Sequence, residues 1–140
     1  MRFEFLRKQV YRSREKEPRY HITPSGRIRF NRLAANQCLL PVIGDSEFVM
    51  LGYDASTQEI AIVPVSKVKL ESDRTIIPFK VVTVAGGKRR SIPAKRFFDR
   101  LGLVLPNNGY HGIPKVEFEE GFGKCLTVSI APTAIAPAGK

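Results

Sequence analysis

Apolar and polar residues alternate with a period of two in several short stretches of this chain, and that period predicts strands. Arg27-Ile28-Arg29-Phe30 is the clearest: Ile28 and Phe30 fall on one face, Arg27 and Arg29 on the other. Tyr20-His21-Ile22-Thr23 reads as its partner, joined through the turn formers Pro24-Ser25-Gly26. The period then lengthens. Over Arg32 to Leu39 the residues Leu33, Ala34 and Leu39 make the inward side of a helix of about two turns, with Asn31 placed to cap its start. Leu40-Pro41-Val42-Ile43-Gly44-Asp45 ends that helix with a proline and a Gly-Asp turn. Glu47 to Tyr53 and Glu59 to Pro64 are apolar runs around the turn formers 54–58, which predicts a second hairpin. Residues 65–73 read as a connector with strand character at Val68 and Leu70.

The same order then returns. Thr75 to Val84 predicts a longer strand interrupted at Pro78, and Gly86-Gly87 supplies the turn. Lys88, Arg89 and Arg90 follow that turn as Arg27 and Arg29 follow the first. Pro93 falls at a helix start, where its missing N–H is harmless. Phe97, Phe98 and Leu101 make the apolar side, and Gly102 is the expected C-terminal cap. Residues 116–119 and 124–130 form a closing hairpin. Setting Asn31 on Pro93 brings Leu39 onto Leu101 without a gap, which predicts an internal duplication. The expected organisation is a basic arm at 1–18, halves at 19–73 and 74–131, and an Ala/Pro/Gly-rich tail at 132–140. The expected fold is mainly β with two short helices (α+β), a pseudo-two-fold barrel. By periodicity Phe30, Phe48, Phe97, Phe98 and Phe118 all face the core, and the 106–114 segment has no counterpart in the first half.

Charge changes the picture most. Twenty-three Lys and Arg against 13 Asp and Glu give a formal net charge of +10. Phosphate backbones are the commonest partners of so basic a small domain. The charge is also segregated: residues 1–32 hold ten basic residues against three acidic, and residues 80–100 hold seven against Asp99 alone. One electropositive face is the expectation. Its candidate contacts are Arg27, Arg29, Lys88, Arg89 and Arg90 on the post-turn strands, with Arg12, Arg14 and Arg19 on phosphates. The aromatic residues are mostly needed for packing, which disfavours a single-strand binder that stacks bases.

Catalytic signals are missing. The sequence has no GxxxxGK[ST] loop, no HExxH, no GxSxG and no clustered Cys/His set. His21 and His111 read as ordinary strand or loop histidines. The expectation is a non-enzyme without metal or cofactor. Cys38 and Cys125 are far apart in sequence, which fits two buried thiols in a reducing cytoplasm. No apolar run approaches the roughly 20 residues of a membrane helix, and the first residues lack a signal-peptide core.

The ordered string of turn glycine, alternating basic and apolar residues, Ile-Pro at 92–93, short helix and apolar hairpin resembles the AbrB/MazE/SpoVT family. The likeness covers roughly residues 19–64 and 79–131. It implies a swapped-hairpin barrel, or the related double-psi barrel, with both halves of a usual homodimer in one chain. It further implies a DNA-binding regulator whose contacts carry over to Arg27 and Arg29 and to Lys88, Arg89 and Arg90. Monomer or weak oligomer is then the expected state. Two alternatives stay open: a single-stranded DNA- or RNA-binding component of a phage or plasmid nucleoprotein, and an antitoxin-like module gripping a protein through residues 106–114 or the termini.

Overall fold

The alternation at Arg27–Phe30 sets the first sheet. The computed structural model describes residues 17–84, 89–119, 121 and 123–130. Strands β1 (Tyr20–Ile22) and β2 (Arg27–Phe30) pair antiparallel, with Ile22 opposite Ile28 and Tyr20 opposite Phe30. All four of these side chains are buried. The turn between them needs Gly26: its φ is 91°, and a Cβ there would lie 2.7 Å from the Lys95 Cα. Strand β2 also pairs with β7 (Arg89–Pro93), which sets Ile28 opposite Ile92 and Arg29 opposite Ser91. Strand β6 (Val82–Val84) flanks β7, and β8 (Tyr110–Gly112) flanks β1, giving the order β6-β7-β2-β1-β8.

The second sheet has the order β5-β3-β4-β10-β9. Its long hairpin, β3 (Phe48–Asp54) and β4 (Glu59–Val65), follows the two apolar runs of the sequence. Strands β9 (Lys115–Glu119) and β10 (Gly123–Ser129) form the closing hairpin, and β10 lies against β4. Between β5 (Phe79–Lys80) and β6 the chain passes from one sheet to the other at Val81. The expected single strand over 75–84 is therefore two short strands. Both halves of the chain supply both sheets, and all pairings are antiparallel.

Neither sheet closes. Among the described residues, strands β6 and β8 are the edges of the first and β5 and β9 those of the second, so the two sheets stay open and the expected pseudo-two-fold barrel is not seen in them. One buried cluster joins Ile22, Ile28 and Phe30 of the first sheet to Ile60, Ile62, Leu126 and Val128 of the second. Tyr20 ties the sheets by hydrogen bonds: its hydroxyl donates to the Ser129 carbonyl at 2.6 Å and accepts from the Ser129 N–H at 2.9 Å.

The helices depart further from the sequence pattern. Asn31 caps α1 (Arg32–Ala34) as expected, its side-chain oxygen accepting from the Ala34 N–H at 2.8 Å. Pro41 does not end the helix. A π segment (Ala35–Leu39) leads into α2 (Leu40–Ile43), and the Leu40 N–H reaches back to the Ala35 carbonyl. Five-residue spacing widens the turn just ahead of Pro41, where the proline ring would otherwise press on the carbonyl four residues back. A further helix, α3 (Lys67–Ser72), replaces the predicted connector; Ser66 caps it by accepting from the Lys69 N–H at 3.1 Å. Helix α4 (Lys95–Leu101) starts after Pro93, which remains in β7, and ends at Gly102 with φ 69°. Phe97 and Phe98 on α4 are buried edge-to-face against each other, 5.5 Å between centroids.

Two aromatic assignments change. Phe118 is 78% exposed on the edge strand β9, and Phe48 is only half-buried on β3. Periodicity fixes which residues share a face but not whether anything covers it. Cys38 and Cys125 are both buried, as expected. Burial pushes the Cys38 thiol pKa up.

Candidate nucleic-acid interface

With Ile28, Phe30 and Ile92 turned into the core, strand alternation sends Arg27, Arg29 and Ser91 to the opposite face of the first sheet. The register then sets His111, His21, Arg29 and Ser91 in a row straight across β8, β1, β2 and β7. Around this row lies a concave surface of about 710 Å³. Five arginines line it: Arg19 ahead of β1, Arg27 and Arg29 on β2, and Arg89 and Arg90 on β7. Among the described residues none of its lining is acidic.

Each arginine is held differently. Arg27 donates from Nη1 to the Ser91 hydroxyl at 2.8 Å. Ser91 is 2% exposed, so this bond lies under the arginine and fixes its direction across the β2–β7 pair. Arg29 is exposed, and no carboxylate among the described residues forms an ion pair with it. Arg19 pairs with Glu17 at the rim. Its backbone N–H donates to the Asn31 side-chain oxygen at 3.2 Å, and the Asn31 amide donates to the Glu17 carbonyl at 3.2 Å. Asn31 thus anchors the segment before β1 as well as the helix after β2.

At the β8 side of the surface the rings of His21 and His111 stack, with centroids 4.1 Å apart and planes 9° from parallel. His111 Nε2 lies 3.2 Å from the Asn108 carbonyl, and because a carbonyl can only accept, Nε2 carries a hydrogen. The loop bearing Asn108 is pressed onto β1 at Gly109. Its φ is 70°, and a Cβ there would sit 2.0 Å from the Ile22 carbonyl oxygen and 3.0 Å from His21 Nε2. The His21 pKa is held below its ordinary 6.5, first by burial, then by His111 and, more weakly, by Arg29; the Asn108 carbonyl opposes the shift.

The structure therefore gathers Arg19, Arg27, Arg29, Arg89 and Arg90 on one surface, while Arg12, Arg14 and Lys88 lie outside the described residues. Sequence reasoning passed over His21, His111 and Ser91. Nothing local in the sequence brings residue 111 to residue 21. The 106–114 segment contributes β8 and His111 to this face.

Strands β2 and β7 are central strands, not a projecting ribbon. Four inter-strand spacings carry the five strands across about 19 Å, against about 12 Å for the width of a major groove. Among the described residues no group of three or more His, Cys, Asp or Glu could hold a metal ion. The described side chains make this surface electropositive.

Neither a protein-family model, a curated protein nor a solved structure matches the chain.

Proposed function

We propose that this protein binds double-stranded DNA through the concave face of its first sheet and acts as a transcriptional regulator. The observation that carries the reading is the gathering of five arginines from three separate segments around one concavity with no acidic lining. So many like charges on one surface attract a polyanion, and a duplex backbone is one. Arg27, held by Ser91, and Arg29 beside it are the side chains best placed for base edges, where arginine pairs bidentately with guanine. Arg19 and Arg89 flank them and would meet phosphates.

The duplicated, AbrB-like ancestry belongs to the same reading. Exchanging the two halves turns β6-β7-β2-β1 into itself reversed, and does the same to β3-β4-β10-β9. The offset that sets Asn31 on Pro93 also sets Arg29 on Ser91, and those two residues face each other across β2 and β7. Such a chain would carry a regulator's pseudo-two-fold axis through the centre of its DNA-binding face.

The test is a fluorescence-anisotropy titration of labelled duplex, single-stranded DNA and RNA at two salt concentrations. Tightest binding to duplex, weakening steeply with salt, is expected. Preference for a single strand or RNA would replace the duplex reading. Failure of all three probes would leave the arginines as a solvated face.

A further inference from the structure

The duplex reading leaves the stacked histidines without a role, yet their placement is specific. His21 and His111 come from strands 90 residues apart in sequence and meet on the same concave face as the arginines. Glycine at 109 is what allows the loop carrying Asn108 to close over His21. Facing the two rings are Arg29 from β2, the next residue in their row, and the Asn108 carbonyl from the loop before β8. Arg19, Arg27, Arg89 and Arg90 share the concavity with them, and no carboxylate among the described residues lines it.

We propose that His21 and His111, with Arg29 beside them, form a phosphate subsite that takes up a proton as the anion binds. This deepens the nucleic-acid reading and rests on it for the phosphate being part of a polymer. Two imidazoles 4.1 Å apart, next to a guanidinium, repel each other when both are charged. In the free protein the His21 pKa is held down, first by burial and then by His111. A phosphodiester oxygen seated over the row reverses the balance: it is negative, and it accepts hydrogen bonds only from ring nitrogens that carry protons. Binding therefore draws a proton from solvent onto the pair, and no covalent bond changes. Linkage then requires affinity to weaken as pH rises, by up to about tenfold per pH unit for each proton taken up.

Two measurements test this. In the first, the imidazole C2–H resonances of His21 and His111 are followed by NMR from about pH 5 to about pH 8 in chloride and in sulfate at equal ionic strength. Sulfate is a non-titrating oxyanion that stands in for the phosphodiester. The apparent pKa of both rings should rise in sulfate. In the second, duplex affinity is measured across the same range for the wild type and for His21→Gln/His111→Gln, with thermal unfolding to establish that the variant folds. The wild type should bind progressively more weakly as pH rises, and the variant should lose most of that dependence.

The two readings fail separately. A sulfate-induced rise in both pKa values without duplex binding at any pH keeps the subsite and removes the DNA. Duplex binding with unmoved histidine pKa values, or with equal pH slopes in wild type and variant, overturns the subsite and keeps the DNA. If the variant does not fold, the wild-type NMR titration decides alone.

Discussion

Tyr20 sits on the floor of the basic face, 3% exposed, and its hydroxyl both donates to and accepts from the backbone of Ser129 on the other sheet. Burial and, less strongly, Glu59 raise its pKa, while the Ser129 bond lowers it. Tyr20→Phe keeps the ring and removes the bridge, leaving backbone groups of Ser129 to find other partners. Loss of about 1–3 kcal/mol in chemical denaturation is expected. His21 sets a different dependence. Its folded pKa lies below the ordinary 6.5, so the unfolded chain binds more protons between those values. The stability of the free protein should fall as pH is lowered through about 6.5 and level off below the folded pKa. Melting temperatures in buffers of non-binding anions check this, and His21→Gln should flatten the profile. Asp54 and Asp73 stay out of that window. Hydrogen bonds from Ser56 and Thr75 hold their pKa values below 3.8, so their contribution is lost only in stronger acid.

Elements show where local pattern suffices and where it does not. Strand β2 was legible because its two faces differ in every residue: Ile28 and Phe30 are buried, while Arg27 and Arg29 face out. Asn31 was legible as a cap for an equally local reason. Helix α3 was not, because its apolar residues do not enter the core; Val68 is 74% exposed, so no inward stripe marks the helix. The division of residues 79–84 between two sheets was also hidden. Alternation along Phe79 to Val84 is compatible with one strand, and only packing against β3 on one side and β7 on the other divides it. Asn31 links an element to the site, since its side chain caps α1 and also holds the Glu17–Arg19 segment. Asn31→Ala should cost about 1 kcal/mol through the lost cap. It should also weaken duplex binding by releasing Arg19, an effect that a substitution of Ser66, the cap of α3, should not share. Denaturation and anisotropy measured on both variants separate the two contributions.

For the whole molecule, the consequence of the fold is that charge spread along the sequence becomes one surface. The two basic stretches legible in the sequence meet because β2 and β7 pair at the centre of the first sheet. That meeting, the open edges of both sheets and the arrival of β8 all depend on contacts between distant segments. A net charge of +10 alone would give weak, diffuse attraction to any polyanion. On the proposed reading, five arginines on one concavity would give a countable number of phosphate contacts. Each phosphate neutralised on B-DNA contributes about −0.9 to the slope of log affinity against log salt. A full set of five contacts would give a slope near −4.5, by that rule. Arg27→Ala/Arg29→Ala/Arg90→Ala should then flatten the slope by up to about 2.7 and lower affinity most at low salt. Any one of the three that reads a base instead of a phosphate should flatten it less but cost sequence preference, by about 1–3 kcal/mol per bidentate contact. Anisotropy titrations over a range of salt, on duplexes of differing sequence, give both quantities. An unchanged slope and affinity in a folded triple variant would show that the duplex does not lie on this face.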